Sequence, residues 1–246
     1  MFRFDTRNIL ILLLIYAVFS MARGGFDLQG TLMMLPGLIL ALTFHEYAHA
    51  KTADRLGDPT PEEQGRLTLN PAAHMDLMGT ICLLFAGFGW GKPVQVNGGY
   101  FRNPARDNML VALAGPVMNF ILAFVLFILL AIITLFTPAL EALITTSSAA
   151  NVWLIIYQIV FYAATLNVSL GVFNLLPVPP LDGSKIFAYF LRGKAREFLY
   201  TLENYSGLII MILFITKIPS YIVSPLVGWI TQGMLLFIGW IIGLFI

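Results

Sequence analysis

One cysteine, Cys82, stands in a chain of 246 residues. An intrachain disulfide framework is therefore excluded, and so is a zinc site built on several thiolates. Charge is equally scarce: Asp, Glu, Lys and Arg make up 11% of the chain, where an average soluble domain carries about 25%. The net charge of +1 excludes the dense basic face that nucleic-acid phosphates demand. Only three histidines are present, so any two that fall together carry information. No internal repeat, low-complexity tract or appended soluble domain is evident.

What the chain does have is apolar surface, at 59% of its residues. Ile9 to Ala22, Val111 to Phe136 and Leu226 to Ile246 contain no charged residue. The second and third exceed the roughly 18 residues at which an apolar run becomes a transmembrane candidate. Six spans are expected, near 7–23, 31–56, 107–136, 150–176, 202–217 and 223–246, within one membrane-embedded domain covering 1–246. Arg3 and Arg7 before the first run fit a signal peptide, but Met21-Ala22-Arg23-Gly24-Gly25 is a poor cleavage site, so a retained helix is expected. The fourth span runs into Pro177-Val178-Pro179-Pro180, which regular helix cannot continue.

Basic residues set the expected orientation. Arg3 and Arg7 precede span one; Lys51, Arg55, Arg66, Lys92, Arg102 and Arg106 lie between or at the ends of spans two and three; Lys185, Arg192, Lys194 and Arg196 follow span four. Only Arg23 and Lys217 fall on the alternate segments. The positive-inside rule makes the richer side cytoplasmic, with both termini on it.

The polar stretch 57–107 is not featureless. Gly65 to Pro71 and Trp90 to Asn97 alternate like short strands, and Leu77 to Phe88 is apolar but too short to span. The expected fold class is thus an α-helical polytopic membrane protein with a small β or re-entrant element between helices two and three. Such backbone at membrane depth must be buried in protein or line water.

Chemistry concentrates at the end of span two, in His45-Glu46-Tyr47-Ala48-His49. Residues four apart stack on one helical face, so two imidazoles can hold one zinc at Zn–N distances of about 2.0–2.1 Å. The intervening Glu46 can take a proton from an attacking water and pass it to a leaving amine. Ionisable residues in a span are costly and mark function, which favours a metal over two packed histidines. A catalytic zinc normally has three protein ligands. The metzincin position after His49 holds Arg55, so that pattern fails. Glu62, Glu63, His74, Asp76 and the distant Asp182 all stay open as the third ligand on residue type alone.

Taken together, these elements resemble the site-2 protease family of intramembrane zinc metalloproteases (peptidase family M50). The resemblance covers roughly residues 40–190, within an expected catalytic core of about 31–190: His45-Glu46-Tyr47-Ala48-His49, Gly65-Arg66-Leu67-Thr68-Leu69-Asn70-Pro71, Ala114-Gly115-Pro116 with Asn119, and Asn174 to Pro177 followed by Leu181-Asp182-Gly183. It implies one Zn2+ per chain held by His45, His49 and Asp182, with Glu46 as catalytic base. It also implies a membrane-spanning protein substrate, cut within or near the bilayer in regulated intramembrane proteolysis. Asn174 matches the family's asparagine and could donate to a substrate carbonyl or developing oxyanion. Many relatives carry PDZ or CBS domains; this chain's length leaves room for neither, so a minimal member is expected.

Asn119 reads first as helix packing, and His74 as a surface residue or a neighbour of the cavity. Lys185, Arg192, Lys194 and Arg196 serve orientation and contact with anionic lipid. The competing class is an ion or metal transporter using the His/Glu/Asp cluster. A transporter would show two corresponding broken segments, and only one is present.

Overall fold

The computed structural model describes residues 28–77, 79–80, 91–143, 147–216 and 218–244. Long helices dominate. α1 (Leu28–Arg55), α2 (Pro104–Leu143) and α3 (Ser147–Asn174) pack on one another. α4 (Asp182–Phe190) and α5 (Lys194–Glu203) are short, and α6 (Ser206–Thr216) precedes α7 (Ile218–Ile242). Among the described residues, four helices are long and apolar enough to cross a membrane: Gln29–Arg55, Pro104–Leu135, Val152–Asn174 and Tyr221–Ile242. They correspond to four of the six expected spans. The expected first span, 7–23, lies outside the described residues.

The expected span at 202–217 is different. A turn at Asn204 and Tyr205 separates α5 from α6. The 11 residues of α6 rise only about 16 Å at 1.5 Å per residue. That is roughly half the hydrocarbon thickness, so α6 does not cross by itself.

Small residues let the helices approach. Ala41, Ala48, Ala50 and Ala53 of α1, Ala112 of α2 and Ala163 and Ala164 of α3 are all buried. At Gly37 a Cβ would sit 2.5 Å from the Cα of Ala163, so any side chain there would force α1 and α3 apart. In a bilayer, where lipid tails are as apolar as the core, such close packing replaces the hydrophobic effect as the cohesive force. Ala123 and Phe127 of α2, Ala164, Val168 and Val172 of α3 and Ile238 of α7 form the main apolar cluster. Val117, Ile121, Val125, Ile128 and Ile132 of α2 face outward, as lipid contact requires.

Between α1 and α2 the expected strands do not form. Among the described residues of 57–103 there is one isolated antiparallel bridge, Met75 to Gly91, beside the Lys92 N–H donating to the His74 carbonyl at 2.7 Å. Side chains take the backbone instead. Thr68 Oγ1 accepts from the Asn70 N–H, and Asn70 Oδ1 accepts from the Ala72 N–H to start a 3-10 turn at Pro71–Ala73. Such local bonds compete with ladder pairing. Most of the expected re-entrant piece, 81–88, lies outside the described residues.

Candidate metal centre

His45 and His49 lie on the last turns of α1, one turn apart on the face turned toward α2. Their Nε2 atoms are 3.0 Å apart. Asp182 reaches them from the first turn of α4, placing Oδ2 3.1 Å from His45 Nε2 and 3.2 Å from His49 Nε2. The three atoms thus mark a nearly equilateral triangle. Tetrahedral zinc with bonds of about 2.0–2.1 Å spaces its ligands about 3.3 Å apart, so the triangle is close to the expected size. Asp182 Oδ2 is buried yet makes no well-aligned hydrogen bond. Lone pairs that converge on a common point, rather than on one another, are what a cation would satisfy. The donor set fits zinc.

Each imidazole is fixed from behind. His45 Nδ1 donates to Asn119 Oδ1 at 2.6 Å, and His49 Nδ1 donates to the Val111 carbonyl at 2.7 Å. With both Nδ1 atoms protonated and donating, both Nε2 lone pairs are free to ligate. Asn119 is itself held: its Nδ2 donates to the Ala41 carbonyl at 3.1 Å and to Asn167 Oδ1 at 3.0 Å. Asn167 Nδ2 in turn donates to the Ala163 carbonyl at 2.8 Å. Asn119 and Asn167 are fully buried. This polar chain links α1, α2 and α3 behind the ligand His45.

Gly115 makes room for the rings. A Cβ there would stand 2.5 Å from His49 Nε2 and 2.6 Å from His45 Cε1. Asp182 is delivered by the break after α3. Pro177, Pro179 and Pro180 offer no N–H, and the chain turns through Leu175 to Leu181 with a cis Pro179–Pro180 bond. Ser184 Oγ donates to the Leu181 carbonyl at 2.7 Å to start α4. Gly183 packs directly on the Leu175 and Leu176 carbonyls, where no side chain fits. Asp182 thereby brings an anionic oxygen up to the two neutral imidazoles, completing a three-donor set.

Glu46 faces the same cavity, of about 160 Å3, that holds His45, His49, Asp182 and Asn174. Its Oε2 accepts from the Val94 N–H at 2.9 Å. The segment Lys92 to Asn97, which is neither helix nor strand, therefore lies over the site. That segment is anchored by buried Asp58, whose Oδ2 accepts from the Asn97 N–H at 2.7 Å and whose Oδ1 accepts from Thr60 N–H at 3.0 Å. Asn174 lines the cavity while its Nδ2 donates back to the Leu170 carbonyl at 3.1 Å.

Of the residues left open as third ligand, Asp182 alone joins the histidine pair among the described residues. Glu62 and Glu63 are exposed on a single helical turn, Thr60–Glu63. Asp76 caps the Gly79 N–H. His74 is neither on the surface nor in the cavity lining: it is fully buried, with Nε2 donating to the Thr68 carbonyl at 2.8 Å. Asn119, expected to serve packing, is the hydrogen-bond partner of a ligand histidine. Asn167 and Val94 were not singled out in the sequence. An asparagine in the middle of an apolar helix is the available signal for Asn167; Val94 contributes only its backbone and leaves none.

Residues 33–216 match the family described as peptidase family M50. The chain is 40% identical over 193 residues to a Bacillus subtilis protein named "Putative zinc metalloprotease YwhC", a match covering 78% of this chain and 84% of that one. It is 31% identical over 206 residues to "Putative zinc metalloprotease Rip2" of Mycolicibacterium smegmatis, covering 80% of this chain and 72% of the relative. A shorter match, 36% over 83 residues, links 34% of the chain to 35% of a Methanocaldococcus jannaschii protein that also carries a zinc metalloprotease name. No solved structure matches the chain.

Proposed function

The chain belongs to peptidase family M50 and is a multi-pass zinc metallopeptidase of the membrane, and from that premise we propose that His45, His49 and Asp182 hold its zinc while Glu46 is the catalytic base. The observation that carries this reading is the triangle of Nε2, Nε2 and Oδ2 atoms, 3.0 to 3.2 Å on a side, with Glu46 in the same cavity. Zinc, when bound, supplies Lewis acidity toward the scissile carbonyl and lowers the pKa of water at the site. The Glu46 carboxylate takes the proton from the attacking water and delivers it to the leaving amine. Its bond to the Val94 N–H keeps the carboxylate aimed into the cavity. Asn174 is proposed to donate its amide to the substrate carbonyl or developing oxyanion.

The substrate in this reading is a membrane-spanning protein. A substrate helix keeps its peptide groups engaged in intrahelical hydrogen bonds. A substrate helix therefore unwinds locally before its peptide bond reaches Glu46. Unwinding frees backbone N–H and C=O groups that need partners. The described part of 65–97 offers backbone at Lys92 to Asn97 that is in neither helix nor strand for this purpose.

The sidedness we propose follows the basic residues: the N terminus and the metal centre lie toward the cytoplasm, with the expected first span, 7–23, completing the entry to α1. A cytoplasmic C terminus would further require 202–217 to cross, which the length of α6 does not support. Glu46→Gln tests the chemistry. It should keep one zinc per chain and lose cleavage of a co-reconstituted membrane substrate. Cleavage surviving in that variant would overturn the mechanism.

A further inference from the structure

A second cavity, of about 450 Å3, opens beside the metal centre between the start of α2, α4 and α5. Its polar lining is Asn108, Lys185, Tyr189, Arg196, Tyr200 and Glu203. Neither cation makes an ion pair in the described structure. The Arg196 Nε is buried with no hydrogen-bond partner, although its guanidinium lies 5.9 Å from the centre of the Tyr200 ring. A buried N–H without an acceptor has lost its water and gained nothing in return, so the groove is built to receive an acceptor. Lys185, Arg196 and Glu203 leave it with a net charge of +1.

Its depth is set by its walls. α2 enters the apolar bundle at Pro104, and α3 leaves it at Asn174, eight residues before α4. The 9 and 10 residues of α4 and α5 are too few to cross a bilayer that takes about 20. Both helices are amphipathic. Phe187 and Phe190 of α4 and Phe198 and Tyr200 of α5 are exposed, as is Tyr205 just beyond. Exposed aromatic rings beside exposed Arg192 and Lys194 are the signature of helices lying in the membrane–water interface. The groove therefore opens at the level of lipid phosphates.

We propose that this groove is a binding site for one anionic glycerophospholipid, its phosphodiester held by Arg196 and Lys185 and its acyl chains running along the exposed aromatic face of α4 and α5. Arg196 supplies a planar fork suited to phosphate oxygens. The excess of one positive charge selects an anionic headgroup over a zwitterionic one. Lys185 lines both this groove and the catalytic cavity, one turn after Asp182 on α4. An occupied lipid site therefore draws the Lys185 ammonium toward the phosphate and away from the metal centre.

The test uses the full-length, zinc-loaded chain in detergent, titrated with phosphatidylglycerol or phosphatidylcholine and read by native mass spectrometry. Phosphatidylglycerol should be retained in preference to phosphatidylcholine. Lys185→Gln and Arg196→Gln should each weaken that retention about fivefold, the effect of removing one cation near a lipid surface. Lys194→Gln, on α5 but outside the groove lining, should leave it nearly unchanged. Because Lys185 is exposed, its variant keeps the assay decisive should Arg196→Gln fail to fold. Equal retention of the two lipids would overturn the proposal, as would an effect of Lys194→Gln matching that of Lys185→Gln. So would full displacement of the lipid by inorganic phosphate, which would make the groove a soluble-anion site.

Discussion

The Nδ1–H of His45 meets Oδ1 of Asn119 at 2.6 Å, between α1 and α2, where Asn119 is fully buried and His45 nearly so. This one bond chooses the imidazole tautomer, since a donating Nδ1 leaves the Nε2 lone pair for the metal. It also explains why a second asparagine, Asn167, is buried beside the first: it occupies the amide hydrogen that Asn119 does not spend on Ala41.

Removing that support should loosen zinc without removing a ligand. Asn119→Ala is expected to lower zinc affinity by about 10–100-fold, measured by competition with a chelator. Asn119→Asp keeps an acceptor for His45 but turns an oxygen toward the Ala41 carbonyl and Asn167 Oδ1, so it should recover only part of the loss. Equal affinity in wild type and the alanine variant would show that the bond does not tune the site.

Asp182→Ala should bring zinc content below one per chain, because two imidazoles alone leave the metal without its third protein ligand. Metal analysis of purified protein gives the answer directly. An unchanged stoichiometry would move the third ligand elsewhere.

Gly115→Ala probes the space in front of the rings. The added methyl would lie 2.5 Å from His49 Nε2, so both rings must shift. A misplacement on the order of 1 Å costs roughly 10²-fold in rate. Alanine is also the better helix former, so α2 itself should persist, and helicity by circular dichroism should match wild type. Cleavage close to the wild-type rate would show that the rings accommodate the methyl.

Asp58 is expected to hold the segment above Glu46 in place. Asp58→Ala strips acceptors from the Thr60 and Asn97 N–H groups and should cost about 1–3 kcal/mol of stability. Hydrogen exchange at Asn97, and at Val94 beside Glu46, should accelerate. Unchanged protection at both amides would show that the segment is anchored by other contacts.

The polar stretch shows where reading from sequence failed. Alternation at Gly65 to Pro71 suggested a strand, yet Thr68 and Asn70 turn their own backbone instead. Alternation reports which side chains could share a face; it does not report whether a partner strand is present to pair with. The apolar run at 202–217 failed for a related reason. Composition measures apolarity along the chain, whereas the turn at Asn204 and Tyr205 divides that run.

What the sequence determined by itself was local. Helical spacing puts His45 and His49 on one face, and prolines end α3 ahead of Asp182. Both follow from backbone geometry over a few residues. The tertiary structure decided which carboxylate joins the pair, which groups fix the tautomers, and that Gly115 must be bare. Those choices depend on three helices packed closely enough to exclude water. In that environment a buried amide or carboxylate must find a partner at hydrogen-bonding distance or lose the free energy of leaving water.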